Sequence, residues 1–387
     1  MGYSVSSSFL SQIEGRNWSP VRYFKIGTSD YTSRITKFPT VKRISNEIKS
    51  VDINVPLANA DGALNHFYEQ TYTIPATCTI EIGIEGEVIK IYTGHLKNVQ
   101  YSNEKCTLKI KDKIWDFTNR KVGASDAHVD IGSTIPSDIA WTLSTCYGGM
   151  SNIASTSNPD IDYSSFLVWA EQFSSDNLLM SANYKGMKVV EALGRLGIMT
   201  DSSIWVEGNG KLNFARFTEP SSLDITITAD ENLDVVIDVE TLRLVNKHYT
   251  SFNYSVGSNY WQSTVYTQDS TSVDSFGLHE EALMDESIWH VDSVSALGLS
   301  QRKVNLLRSP PKRFEIITGL YGIQRQISET VRLVDSFYGV TSASGWRLVG
   351  NYYDTDRGII TRYLDEATVM NGIYLDASDL DGNDLLL

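Results

Sequence analysis

The chain has 387 residues, 41% hydrophobic and 21% charged, with a formal net charge of −14. That length exceeds what one ordinary core serves and predicts two to four domains of a folded, globular protein rather than a disordered one. The acidic balance argues against a protein that grips phosphates through clustered lysines and arginines and predicts solubility, and three scattered cysteines, Cys78, Cys106 and Cys146, offer no disulfide framework or zinc knuckle.

The first twenty residues, MGYSVSSSFLSQIEGRNWSP, read as an N-terminal arm without the apolar core of a signal peptide. No stretch approaches the roughly 18 apolar residues of a membrane span, so synthesis in a reducing cytosol is expected. Val51, Ile53 and Val55 alternate with polar residues and predict a half-buried strand ending at Pro56. Asp61 is placed to cap a short helix over 62–70. In TCTIEIGIEGEVIKIYTG, Cys78, Ile80, Ile82 and Ile84 share one face. Glu85-Gly86 turns the chain, and Ile89 and Ile91 resume. Val99 and Tyr101 lead through Ser-Asn-Glu-Lys to Cys106, Leu108 and Ile110. Successive antiparallel strands predict a small barrel or sandwich over 21–120.

The period then changes. Pro136 suits a first helical turn, with Ile139, Leu143 and Tyr147 on one stripe and Gly148 as the stop. That stripe also makes Cys146 a core residue. SSFLVWAEQF and GMKVVEALGRLG have helical spacing too, and they complete a helical module over 121–200. The segment GGMSNIASTSNPD between them reads as an exposed polar loop. SIWVEGNGKLNF predicts a hairpin, with Leu212 and Phe214 on one face. The strands LDITIT, LDVVIDV and TSFNYSV follow. Residues 261–309 read as a mixed or helical insertion that includes a helix from Ser293 to Leu307, stopped by Pro310 and Pro311. Strands Arg313–Thr318 and Ser328–Asp335, then a hairpin turning at Asp354–Gly358, return the chain to a second barrel-like domain made of 201–260 and 310–365. Lys312, Arg313 and Arg325 are left for solvent or subunit contacts. Residues 366–387 form a C-terminal tail. The fold class expected is α+β, β-rich, with two barrel-like β domains separated by helical or mixed modules.

Chemistry is scarce. His66, His95, His128, His248, His279 and His290 show no metal-ligand spacing, and His279-Glu280-Glu281 lacks the second histidine of a zinc-protease motif. No nucleophile elbow or phosphate loop is present. Gly208 and Gly210 belong to a hairpin turn, and Asn213 stands where a dinucleotide fingerprint needs glycine. The acidic tail, with Asp376, Asp379, Asp381 and Asp384, fails the spacing of a calcium loop. Trp141, Trp169, Trp261, Trp289 and Trp346 lie within periodic elements and read as packing residues. No catalytic, cofactor-binding or metal-ligating residue is singled out, and the chain is expected not to be an enzyme.

Four segments, taken in order, carry a resemblance. They are YTGHLKNVQYSNEKCTLKIKDKIWDFTNRKVG, VVEALGRLGIMTDSSIWVEGNGKLNFARF, DSTSVDSFGLHEE and RSPPKRFEIITGLYGIQRQISETVRLVD. Over residues 20–365 the chain resembles the baseplate hub, or tail hub, proteins of long-tailed bacteriophages and related injection machines. The resemblance implies a homotrimer whose two barrels per chain make a pseudo-sixfold ring around a DNA channel. Its neighbours would be the tail tube or a distal tail protein, a tail-tip or spike protein, and the tape measure protein, with DNA passing unbound. It implies a virion component made in the host cytoplasm. Two alternatives stay open at this level: a receptor- or glycan-binding tail-tip protein, and a cell-wall hydrolase.

Overall fold

The computed structural model describes residues 5–367 except 15–18, 45–50, 68–75, 103, 113, 116–119, 124–127, 217–225, 229–231, 240–243, 311 and 335–344. The first strands are β1 (Val21–Ile26), β2 (Ser29–Asp30), β3 (Thr40–Ile44), β4 (Asp52–Ala58), β5 (Thr77–Ile84), β6 (Glu87–Tyr101) and β7 (Lys105–Asp112). All but β3 form a six-stranded sheet in the order β2-β1-β5-β6-β7-β4. The alternation in the sequence sets its buried face. Cys78, Ile80, Ile82 and Ile84 point into one core with Ile89, Ile91, Cys106, Leu108 and Ile110. Fully burying each aliphatic side chain contributes about 1.5–3 kcal/mol. Helix α1 (Ser7–Glu14), inside the expected arm, adds Phe9 and Ile13 to the same core.

Two local expectations fail here for clear reasons. Strand β4 does not stop at Pro56 but runs through it to Ala58. It is an edge strand, where a missing backbone donor costs no ladder bond. Asp61 does not open a helix: residues 60–66 are turns, Phe67 is helical, and 68–70 of that expected helix lie outside the described residues. Gly62 takes a left-handed φ of +68°, and the Asp61 carboxylate is held by Arg34 at 2.7 and 2.9 Å.

The middle of the chain holds α2 (Pro136–Thr142), α3 (Tyr163–Ser175) and α4 (Val189–Thr200), with strands β8 (His128–Thr134), β9 (Met180–Lys185), β10 (Ser202–Val206) and β11 (Leu212–Arg216). Pro136 opens α2 at the first turn as expected. Asp162 caps α3 by accepting from the Ser165 backbone N–H at 3.1 Å. After α2 the backbone widens into a π turn over Leu143–Tyr147. That extra residue per turn shifts the stripe, so Cys146 is exposed and not a core residue. The polar loop is not simply exposed either. Asn158 is fully buried at its centre, donating to the Ser151 and Ile153 carbonyls at 3.0 and 2.8 Å and accepting from the Asp160 and Ile161 N–H groups. The β10–β11 hairpin, expected in the second barrel, packs on the helices instead. Ile204, Val206, Leu212 and Phe214 share a core with Trp169, Leu193 and Leu196.

The remaining elements are β12 (Thr226–Thr228), β13 (Asn232–Val239), β14 (Lys247–Ser255), β15 (Tyr260–Gln268), α5 (Ser270–Phe276), β16 (Glu280–Leu283), β17 (Ile288–His290), α6 (Ser293–Leu307), β18 (Lys312–Thr318), β19 (Thr330–Val334), β20 (Gly345–Asp354) and β21 (Ile359–Ala367). A second large sheet runs β12-β19-β20-β21-β18-β13, and β3 also pairs with β20. Its core is Ile227, Phe314, Ile316, Val331, Leu333, Trp346, Leu348 and Leu364. The Phe314 and Trp346 rings meet edge to face at 4.5 Å. Strand β14 leaves this sheet to form a three-stranded one, β15-β14-β16, backed by α6. Strand β17 joins β9 and β8. Helix α6 has the bounds expected and is capped by Asp292. The first part of the expected mixed or helical insertion is a strand followed by a helix: β15 pairs with β14, and Asp269 caps α5. Pro311 and the C-terminal aspartates lie outside the described residues. The architecture is α+β and β-rich, with a curled half-barrel sheet.

Candidate functional site

Two places collect polar side chains. The first is the junction of the two large sheets and the helical layer. Strand β3 carries Arg43 into it, nearly fully buried. One guanidinium nitrogen donates to the Val206 carbonyl of β10 and another to the Ile91 carbonyl of β6 at 3.4 Å. Thr93 of β6 donates to the Gly208 carbonyl at 2.7 Å. The turn that receives it needs glycine: Gly210 has φ +80°, and a Cβ there would lie 3.1 Å from Thr93. Glu207, buried in the same turn, accepts from Trp205 Nε1 at 2.8 Å and from the Gly208 N–H at 2.9 Å. Arg347 of β20 reaches Ser203 of β10 at 2.8 Å. Beside them Arg362 donates to the Tyr321 carbonyl at 2.9 Å, and burial pulls its guanidinium down to about 10. Burial pushes the Tyr353 phenol well above its ordinary range, and Glu207 adds to that shift. Both groups keep one charge state at neutral pH. A buried arginine bonded to carbonyls of other layers fixes their relative position, because releasing it strands a charge and two acceptors.

The second place is a cleft of about 590 Å³ between β8, β9 and the tip of the β14–β15 hairpin. His128, Asn183, Arg195, Tyr254 and Asp285 line it. His128 Nδ1 donates to Asn183 Oδ1 at 2.6 Å, and Asn183 donates onward to Asp130. Arg195 binds Asp285 and Glu191, each at 3.0 Å. Tyr254 donates to Asn259. These side chains satisfy one another, and no hydroxyl or thiol nucleophile is paired with His128 in them. Among the described residues, no three His, Cys, Asp or Glu side chains gather as a metal site.

The residues weighed from sequence scatter. His66 is exposed and His279 half-buried, while His248 and His290 are fully buried. His248 Nδ1 sits 3.1 Å from Ser300 Oγ. Cys78 and Cys106 are buried in the first core, and burial raises both thiols, Cys78 to about 12 and Cys106 to about 11. Trp169, Trp289 and Trp346 are buried, Trp141 and Trp261 half-buried. Lys312 is exposed. Arg313 is not left for outside contacts: it holds Asp365 of β21 through two bonds of 2.7 and 2.9 Å. Arg325 is half-buried beside Glu329 at 3.7 Å. Sequence reasoning missed Arg43 altogether. Its signal, an arginine in an alternating strand at the phase of buried Val41, is visible in hindsight.

No helix among the described residues is long and apolar enough to cross a membrane, which says nothing of strand-built barrels. No family model and no curated protein matches the chain. Solved structures do. The tail protein from Neisseria meningitidis MC58 is similar at 13% identity and TM-score 0.59, over 90% of this chain and 97% of that one. The 43 kDa tail protein of prophage MuSo2 from Shewanella oneidensis is similar at 14% identity and TM-score 0.56, over 89% and 98%. Prophage tail protein gp18 from Listeria monocytogenes EGD-e is similar at 12% identity and TM-score 0.51, over 90% and 95%. Over about nine-tenths of its length, the chain has the fold of these tail proteins.

Proposed function

We propose that the chain is a structural component of a phage tail, a hub that assembles as a homotrimer. The observation that carries this reading is the shared fold over about nine-tenths of the chain and nearly the whole of each tail protein compared. Each chain brings two large sheets, so three chains bring six. Such a ring meets a sixfold tube on one face and a threefold tip or spike on the other. The neighbours are then the tail tube or a distal tail protein, the tip or spike protein and the tape measure protein. The two sheets with their helical partners form the tube-like domains. Arg43 and β3 hold them as one body, which a ring under mechanical stress requires. The acidic chain lets DNA pass without holding it. The role is non-enzymatic, in keeping with the tail-protein fold.

Negative-stain images and light-scattering mass test the reading together. The expected result is a threefold ring with a central hole about as wide as duplex DNA, at three times the 43.2 kDa chain mass. A protein that stays monomeric across micromolar concentrations, with no ring in the images, overturns it.

A further inference from the structure

Among the described residues, several sheet edges are protected. In the first sheet, β2 has only two residues, and β4 carries Pro56 and is bridged at Leu57 by Ile35. In the second, β12 has three residues and β13 includes Asp234 and Asp238. In the three-stranded sheet, β16 carries Glu280 and Glu281. Short strands, proline and charge are the usual ways to stop one sheet from adding to another.

Strand β15 has none of them. It runs for nine residues, YWQSTVYTQ, without charge, proline or glycine. Among the described residues it pairs with β14 alone. Every second side chain from Tyr260 to Gln268 is exposed. Between Lys247 and Asp269 there is no charged residue, in a chain that is 21% charged. The same span holds Tyr249, Phe252, Tyr254, Tyr260, Trp261 and Tyr266. Loss of charge with gain of tyrosine and tryptophan is the composition of an interface centre.

We propose that β15 is an intermolecular edge, pairing antiparallel with β15 of a second copy of this chain. Charge chooses the occupant. Two copies at −14 each repel, and an edge such as β16 would set glutamates against glutamates. Along β15 two identical strands meet with no charge on either side. A two-fold axis at Thr264 lets all nine residues overlap. Thr264 then faces itself, Gln262 faces Tyr266 and Tyr260 faces Gln268 on one side of the sheet. Trp261 faces Thr267 and Ser263 faces Val265 on the other. Amide–phenol and hydroxyl–hydroxyl neighbours are compatible cross-strand pairs. The two sheets fuse into one of six strands, β16-β14-β15-β15-β14-β16. This contact is independent of the ring: chains outside the ring use it to form dimers.

The test is a crosslink with a matched charge variant. Opposed residues of an antiparallel pair have Cα atoms about 4.5–5.5 Å apart, inside the range that a disulfide spans. In a Cys146→Ser background, Thr264→Cys treated with oxidised glutathione is expected to give a covalent dimer. Separately, Thr264→Lys places a lysine against its own copy and is expected to weaken self-association about tenfold by sedimentation. Position 264 is exposed, so both variants fold. The proposal is overturned if the Thr264→Cys protein reacts with a thiol reagent yet forms no covalent dimer, or if Thr264→Lys leaves the mass distribution unchanged. The ring is read separately, as threefold images of the uncrosslinked Thr264→Lys protein, so either reading can fail alone.

Discussion

His248 and His290 are fully buried, and burial pulls both imidazoles down to about 4. Lys303 deepens the shift at His248; at His290 Asp292 opposes it and Arg216 reinforces it. In the unfolded chain a histidine titrates near 6.5. The unfolded state therefore binds more protons below that value, and stability falls as pH drops from about 6.5 towards 4. Each histidine is expected to cost about 2 kcal/mol between pH 7 and pH 5. Asp201 behaves oppositely. Burial opposes its charge, yet Arg302, Lys303 and Arg347 outweigh burial and hold its carboxyl below the usual range. Its contribution is intact above about pH 4 and lost only below, so the pH 7 to 5 window isolates the histidines. Urea midpoints at the two pH values measure the effect. The double variant His248→Gln, His290→Gln is expected to flatten the difference, and a difference as large as wild type would refute the assignment. Burial of this kind is invisible in sequence, where six isolated histidines look alike.

At the scale of elements, β18 lies between β13 and β21 and shows how period two governs tolerance. Ile316 is fully buried in the second core, while Ile317 on the other face is half-buried. A carboxylate at 316 has no partner and leaves a hole. Ile316→Asp is expected to cost more than about 4 kcal/mol and to abolish assembly, whereas Ile317→Asp costs less than half as much. Denaturation midpoints and soluble yield compare the two; equal losses would sink the register. Strands and helices with a strong period were legible: β5, β6, β7, α4, α6 and the β20–β21 hairpin all lie where alternation or helical spacing puts them. Two of the misses have a cause of another kind. β8 and β9 are short strands set among helices, and β9 is held by β17, about a hundred residues away. Their pairing is a long-range fact with no local signature.

At the scale of the whole molecule, charge sets the expected behaviour towards nucleic acid. With a net charge of −14, the isolated protein is expected to show no binding to duplex DNA by fluorescence anisotropy, even at about 50 mM salt, where phosphate contacts are strongest. Measurable binding that weakens steeply with salt would contradict a passive channel. Periodicity and turn chemistry alone determined that the chain is α+β and β-rich, that two strand-rich regions flank helices, and where the strongly periodic elements lie. Those are local properties, written in side chains two or four residues apart. Tertiary structure alone decided the allegiance of the elements. β3 crosses into the second sheet, the β10–β11 hairpin packs on helices, β14 leaves to build a sheet of its own, and Arg43 is buried where three layers meet. Each of these depends on which apolar face finds which partner across hundreds of residues, and no window of the sequence contains both sides of that choice.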